Sequence, residues 1–158
     1  MEAWRRALKG EPLFWLLEPE TPAVRHLALQ WSSTNQRTRR SGEEYLLERA
    51  LFRRLSTGEP ADERFFSLQH PDRWHYHVLR ALDHFRSAAA LTGEPSDPRL
   101  GEAIDHVRSR GLENGTWPLD RSPAGRVWFD VDDGEGAPSR WVTLRALRVL
   151  RWWEEGGR

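Results

Sequence analysis

Three aspartates stand within four residues, at Asp130, Asp132 and Asp133, and a glycine-rich stretch follows them. Neighbouring carboxylates cannot all ionise cheaply in a dry site, so such a cluster can keep one acid protonated for general acid chemistry. The alternative is a solvated acidic turn that helps to cap a helix starting near Ser139, because acids favour helix N-termini. A calcium loop is a third interpretation, although the spacing to a bidentate Glu does not fit an EF-hand.

Histidines are the second set of groups that could do chemistry. His75, His77 and His84 fall on one predicted helix, and the last two, seven residues apart, share a face. Two imidazoles two turns apart cannot chelate one ion without other ligands, and the chain has no cysteine to complete a zinc site. We therefore expect ordinary hydrogen-bonded histidines, with no metal and no cofactor.

Tryptophan is unusually frequent, with nine in 158 residues. Aromatic side chains at helical spacing usually pack a core, and a buried indole N–H needs a hydrogen-bond partner. The alternative is an aromatic-lined cavity that takes up an apolar small molecule or a partner. The candidate ligand-binding residues are Trp74, His77, Trp117, Trp128 and Trp141.

The composition limits the class of protein. The 24 basic and 24 acidic residues cancel, so no global positive field exists to attract nucleic acid. The absence of cysteine excludes disulfides and cysteine nucleophiles. The mean hydropathy is −0.75, and no apolar run approaches the roughly 20 residues that span a bilayer. With acids rather than a basic region at the N-terminus, we expect a cytoplasmic protein without a membrane span.

Apolar spacing predicts an all-α fold in a single domain, residues 1–158. An N-terminal helical segment is expected at 1–31, and the polar stretch 32–41 is interpreted as a linker. Two helical hairpins should follow, at 42–93 and 98–153. The individual helices are predicted at 42–55, 71–93, 98–111 and 138–153, with a long ordered loop at 117–138.

Each predicted helix carries an apolar stripe that should face the core. In chain order, these stripes are Leu46, Leu47, Ala50, Leu51 and Leu55; Trp74, Val78, Ala81, Leu82, Phe85 and Ala89; Leu100, Ala103, Ile104 and Val107; and Trp141, Leu144, Leu147, Leu150 and Trp153. Two hairpins leave apolar faces without neighbours, and such faces mark association sites. We therefore expect a homodimer.

The two hairpins contain a sequence repeat. Residues 71–74 (PDRW) are echoed at 138–141 (PSRW), and residues 79–82 (LRAL) recur at 144–147. A helix-loop-helix unit used twice is typical of stacked αα-hairpins that bury their faces against one another.

The stretch 103–117, AIDHVRSRGLENGTW, resembles the repeat of the squalene cyclase and protein prenyltransferase superfamily, in which an outer helix runs into a turn ending Gly-x-Trp. Asn114, Gly115 and Trp117 carry the match, and Gly111 stands where the family has Gln. The resemblance covers roughly 42–153 and implies a partial α/α toroid with an aromatic-lined centre. Residues 15–18 (WLLE) and 22–25 (PAVR) also resemble the start of larger uncharacterised bacterial toroid-like proteins, and the chain from residue 42 onward resembles their end.

The acidic cluster also resembles the Asp-x-Asp-Asp signature of class II terpene cyclases. That resemblance implies that Asp132 is the general acid that protonates an alkene or epoxide, with Asp130 and Asp133 supporting it. Two functions therefore remain open. One is a binding module that takes an apolar small molecule or a partner on a Trp-rich inner face, and the other is a cyclase-like acid catalyst. A closed apolar cavity at Asp132 would favour catalysis, and an exposed loop would favour binding.

Overall fold

A computed structural model of the chain describes residues 33–73, 75–122 and 132–156. The predicted segment 1–31 lies outside these residues, as do the candidates Trp74, Trp128 and Asp130. The chain divides into two compact units, Met1–Glu44 and Tyr45–Arg158. The hydrophobic core lies in the second unit.

The described residues are mainly helical, as predicted. They form the α-helices α1 (Ser33–Leu47), α2 (Val78–Thr92), α3 (Gly101–Ser109) and α4 (Arg140–Gly156), with short 3-10 turns at Glu63–Phe66 and Pro98–Leu100. A small antiparallel pair of strands, β1 (Trp117–Pro118) and β2 (Pro138–Ser139), was not predicted. No helix in these ranges is long and apolar enough to cross a membrane.

Helix α1 occupies most of the stretch that the sequence pattern assigned to a linker. The residues 33–41 are polar and have no apolar period, yet they are helical. Arginine and glutamine have good intrinsic helix propensity. In addition, Arg39 and Glu43 form an ion pair at 2.8 Å across one helical turn. Propensity and charge pairing therefore stabilise a helix here that an apolar periodicity could not indicate.

The predicted continuation of this helix to Leu55 is wrong. The helix ends at Leu47, and Ala50 and Leu51 then adopt positive φ angles of 43° and 69°. This turn returns Leu51 to the core, where it is 2% exposed, whereas Leu55 is 61% exposed. The apolar spacing that indicated a longer helix thus arises partly from a turn that folds back on the core.

Helix α2 lies at the centre of the core and largely confirms its predicted stripe. Val78, Ala81, Leu82 and Phe85 are all buried. The helix starts later than predicted because His77 is its N-cap: the backbone there is extended, and the imidazole accepts a hydrogen bond from the Arg80 N–H. Gly93 ends the helix in the left-handed conformation, with φ of 73°.

The predicted stripe of the third helix is confirmed, with its first member in the short 3-10 turn before α3 and the others on α3. Leu100, Ala103, Ile104 and Val107 have no exposed surface. The preceding Asp97 caps the short 3-10 turn that opens the helix by accepting the Arg99 N–H at 2.9 Å. Only one apolar stripe is available in this segment, so the spacing is sufficient to identify its inner face.

Helix α4 starts and ends close to the predicted residues but turns a different face to the core. Its buried residues are Val142, Ala146 and Val149. Three members of the predicted inward stripe, Trp141, Leu144 and Leu147, are exposed by 46%, 48% and 50%. The other two, Leu150 and Trp153, pack partly buried against the core. The small residues let α4 approach α2 closely, which leaves the larger side chains outside.

Candidate functional site

Asp132 caps the N-terminus of α4. One carboxylate oxygen accepts a hydrogen bond from the Ser139 hydroxyl at 2.7 Å, and the other accepts the Arg140 N–H at 3.2 Å. The Ser139 hydroxyl oxygen in turn accepts the Val142 N–H at 3.0 Å. Backbone N–H groups that would otherwise lack partners at the helix start are thereby satisfied. This is the capping role that we considered as the alternative to general acid chemistry.

The acidic cluster does not act as one unit in the described residues. Asp133 is exposed, while Asp132 is partly buried against the start of α4. Asp130 lies outside the described residues. The contacts of Asp132 with the start of α4 explain its position, and they do not involve Asp133.

A cavity of about 200 Å³ opens beside the first 3-10 turn. Its lining is mostly polar and consists of Asp62, Arg64, Phe65, Gln69, His75, Tyr76 and Arg121. Arg64 pairs with Asp62 at 2.5 Å, and hydrogen bonds from Arg64 lower the pKa of Asp62 to about 2. Among the described residues, neither Asp132 nor the candidates His77, Trp117 and Trp141 line this cavity. It is not the closed apolar chamber that a cyclase requires.

Asp72 joins the start of α2 to α4. Its Oδ1 atom lies 2.9 Å from His77 Nε2 and accepts a hydrogen bond from Arg145 Nη1 at 2.5 Å. Arg145 Nε is also 3.8 Å from the carboxylate of Asp83 on α2. Burial alone would raise the pKa of Asp72, but the hydrogen bonds from His77 and Arg145 outweigh it and hold that pKa well below its usual range. This network favours the observed rotation of α4 about its axis.

His77 has no exposed surface, and both of its ring nitrogens have partners. Nε2 faces Asp72, and Nδ1 accepts the Arg80 N–H at 3.4 Å, so the network assigns the proton to Nε2. Burial lowers the pKa of His77, although the Asp72 carboxylate opposes this. His77 therefore behaves as the ordinary hydrogen-bonded histidine that we expected. Its buried position gives it no surface for contact with a ligand.

Trp117 packs the core next to the end of α3. It is 7% exposed, and its indole N–H donates to the Val107 carbonyl at 2.6 Å. A Cβ atom at Gly111 would come within 3.2 Å of the Trp117 ring. The indole thus occupies the space beside position 111, where the resembling family has Gln. Glycine at this position accommodates the tryptophan.

Trp141 lies at the start of the exposed face of α4 and stacks on His70. The ring centroids are 5.2 Å apart and the planes are 14° from parallel. The Nδ1 atom of His70 is buried and has no hydrogen-bond partner among the residues that the structure describes. Burial lowers the pKa of His70, which favours the neutral form of the imidazole beneath the indole. The stack holds Trp141 in place although nearly half of its surface is exposed.

Trp141, Leu144 and Leu147 together form a surface that we call the apolar ridge of α4. Successive members are three residues apart and project from the side of the helix away from Val142 and Ala146. Exposed arginines border the ridge at 140, 148 and 151. Three large apolar side chains on one exposed helix face are unusual for a surface without a partner.

The ridge is the feature that sequence reasoning placed wrongly. Its members were assigned to the core because they are large and follow helical spacing. A competing stripe of small residues at 142, 146 and 149 follows the same period. The carboxylate of Asp72 pairs with Arg145, and this contact favours the stripe of small residues as the inner face.

Neither family models nor curated proteins nor solved structures give a match to this chain. The resemblance to the toroid superfamily and to the cyclase motif therefore stays a prediction.

Proposed function

We propose that this chain is a binding module and that the apolar ridge of α4 is its binding surface. The observation that carries the proposal is the exposure of Trp141, Leu144 and Leu147 by about half on one helix face. Apolar patches of this kind mark sites where a protein associates with a partner or an apolar ligand.

The ridge belongs to a helix that is held firmly in the fold. Asp132 and Ser139 cap its first turn, Arg145 pairs with Asp72 on one side, and Trp141 stacks on His70. The exposure is therefore a property of a well-anchored helix. A preorganised surface loses little conformational entropy on binding, which favours affinity.

The alternative, a cyclase-like acid catalyst, fits these contacts less well. Both oxygens of Asp132 act as hydrogen-bond acceptors for the helix start. Protonation of an alkene requires a proton on one of these oxygens and a dry apolar chamber around it. The binding module needs neither.

A partial α/α toroid remains our proposal for the wider architecture. Helix α2 contacts both α3 and α4, and α3 also contacts α4. Such contacts are what a stack of helical hairpins requires. The resemblance of residues 103–117 supports the same arrangement, and the composition supports a cytoplasmic location.

Native mass spectrometry of the chain purified from the expressing cells tests the proposed function. We expect a bound species, either protein or small molecule, on the wild-type chain. The double substitution Leu144→Glu with Leu147→Glu should remove it, because charges on the ridge cannot be buried cheaply. Leu55→Glu is the matched control, since Leu55 is 61% exposed outside α4, and it should retain the species.

Two outcomes would contradict the proposal. One is a wild-type chain that carries nothing at any concentration. The other is a bound species that survives the substitutions on the ridge while the variant melts at the wild-type temperature. The substitution Asp132→Asn distinguishes the binding module from the cyclase-like catalyst, because a binding module should keep its bound species when the acid is removed.

A further inference from the structure

The polar cavity beside the first 3-10 turn contains a buried amide that the fold does not use. Gln69 lines this cavity and is only 3% exposed. Its side chain makes no hydrogen bond within the part of the chain that the structure describes. A buried amide without a partner costs free energy, whereas a polar group that enters the cavity would supply the partner. Gln69 therefore indicates that the cavity takes up a polar ligand.

Arg121 lies beside Gln69 in the wall of the cavity. The two residues are paired in an isolated parallel bridge, and paired residues of neighbouring strands direct their side chains to the same side. The backbone here is anchored by Asp120, whose N–H donates to the Leu68 carbonyl at 2.8 Å. The carboxylate of Asp120 in turn accepts the Leu68 N–H, also at 2.8 Å. An amide and a guanidinium are thereby held next to each other.

The charges of the lining favour an anion. Arg64 Nε lies 3.0 Å from each carboxylate oxygen of Asp62, so these two charges offset each other. Arg121 also lines the cavity and is exposed. Its guanidinium has no ion-pair partner among the described residues. With two arginines against one aspartate in the lining, the charge of Arg121 is the one left for a ligand.

The cavity also has an apolar side and a definite size. Phe65 and Tyr76 pack edge to face in its wall, with their ring centroids 4.8 Å apart. The Tyr76 hydroxyl donates to the Leu51 carbonyl at 2.6 Å, which fixes the position of its ring. The volume is about 200 Å³, and a protein cavity of about 150 Å³ can hold benzene. One ring with a charged substituent therefore fits this space.

We propose that the cavity binds a small carboxylate whose body is no larger than one aromatic ring. The carboxylate accepts N–H groups of the Arg121 guanidinium and the Gln69 amide, and the body of the ligand packs against Phe65. A guanidinium suits this role because its N–H groups match the two oxygens of a carboxylate. None of the residues that line the cavity belongs to α4. The site therefore does not rest on the proposed function of the apolar ridge.

Benzoate and benzamide are the probes that test this site, because they share a ring and differ in charge. Saturation-transfer NMR on the full chain measures the binding of each. We expect benzoate to bind with a dissociation constant of about 1 mM, and benzamide at least about tenfold more weakly. Arg121→Gln should weaken benzoate about tenfold and leave benzamide unchanged. The matched control is Arg37→Gln, an exposed arginine on α1 outside the lining, which should bind benzoate as the wild-type chain does.

Gln69→Glu is a second variant that separates binding from folding. Glutamate has nearly the same shape as glutamine, and its carboxylate would pair with Arg121 in the place of the ligand. Binding of benzoate should therefore be lost while the melting temperature stays at or above that of the wild-type chain.

Three results would overturn the carboxylate site. The first is benzoate that binds no more tightly than benzamide. The second is benzoate binding that is unchanged in Arg121→Gln, a substitution at an exposed position that should leave the fold intact. The third is wild-type binding of benzoate to Gln69→Glu.

Discussion

Helices α2 and α4 contain the same four-residue sequence but present it to different surroundings. In α2, Leu79 and Leu82 have no exposed surface, whereas the equivalent Leu144 and Leu147 in α4 are about half exposed. Of the repeated residues, only the alanine is buried in both copies. Local sequence therefore does not decide burial here.

The difference begins where each helix starts. His77 caps α2 at a position that brings the repeated leucines into its first turns. Ser139 caps α4, and its four-residue repeat begins one turn further into the helix. Helix α2 is packed by α3 and α4. Helix α4 contacts α2, α3 and both strands, but it keeps an exposed face at Trp141, Leu144 and Leu147. The leucines of the second copy therefore lie at the surface, whereas those of the first copy lie in the core.

The largest expected effect is the truncation of a leucine in the buried copy. Leu82→Ala should lower the free energy of unfolding by about 2–5 kcal/mol, because it leaves a cavity beneath fully buried neighbours. Urea unfolding followed by circular dichroism measures the change. A loss below about 1 kcal/mol would mean that α2 is not the central helix.

The next effect concerns the link that favours the observed rotation of α4. Asp72→Asn leaves Arg145, whose side chain is 11% exposed, without its carboxylate, and should cost about 1–3 kcal/mol. Asp105→Asn is a matched control in an exposed pair with Arg108 and should cost less than about 0.5 kcal/mol. Equal losses of unfolding free energy in the two variants would show that the pairing of Asp72 with Arg145 contributes no more to stability than a surface ion pair.

Acid should weaken the fold through two histidines, His77 at the start of α2 and His70 beneath Trp141. Burial lowers the pKa of His77 and of His70 from 6.5. The unfolded chain therefore takes up protons that the folded chain resists, and stability falls as the pH drops below about 6.5. At still lower pH the contribution of Asp72 is lost as well, because the fold holds its pKa below the unfolded value of about 4.

Thermal melting between pH 7.5 and pH 5 measures this loss of stability. The variant His70→Phe tests how much of the loss is due to His70. Phenylalanine keeps a ring beneath Trp141 and removes one group that titrates. The melting temperature of this variant should fall less steeply with acid than that of the wild-type chain. An unchanged slope would show that His70 does not contribute.

The smallest effect is expected in the exposed copy. Leu147→Ala removes a side chain that is 50% exposed and should change the free energy of unfolding of the monomer by about 0.5 kcal/mol or less. The measurement is urea unfolding at high dilution, where association does not contribute. A loss of unfolding free energy as large as that of Leu82→Ala would mean that Leu147 belongs to the core.

The sequence predicts the fold well where a segment has one possible inner face. Helix α3 offers a single apolar stripe after Asp97 and Pro98, and its buried residues are those expected. Helix α4 offers two stripes, and the pairing of Arg145 with Asp72, 73 residues away, favours the stripe that is buried. A tertiary contact of this kind leaves no periodic signal in the sequence.

The candidate site was predictable to a similar degree. The capping role of Asp132 follows from the position of acids ahead of Ser139, and it was foreseen as the alternative to catalysis. The ridge was assigned to the wrong face, since large apolar residues at helical spacing normally indicate the core. The end of α1 was missed because the turn at Ala50 and Leu51 preserves the apolar spacing of a helix.

The apolar ridge also affects the colloidal behaviour of the chain. With 24 basic and 24 acidic residues and an isoelectric point near 7.0, molecules at neutral pH have no net repulsion to keep them apart. If the apolar ridge is not covered, it promotes association between molecules at neutral pH, where the repulsion between them is weakest. A partner bound to the ridge should reduce this association. Without a bound partner, the solubility of the chain should rise as the pH moves above or below its isoelectric point.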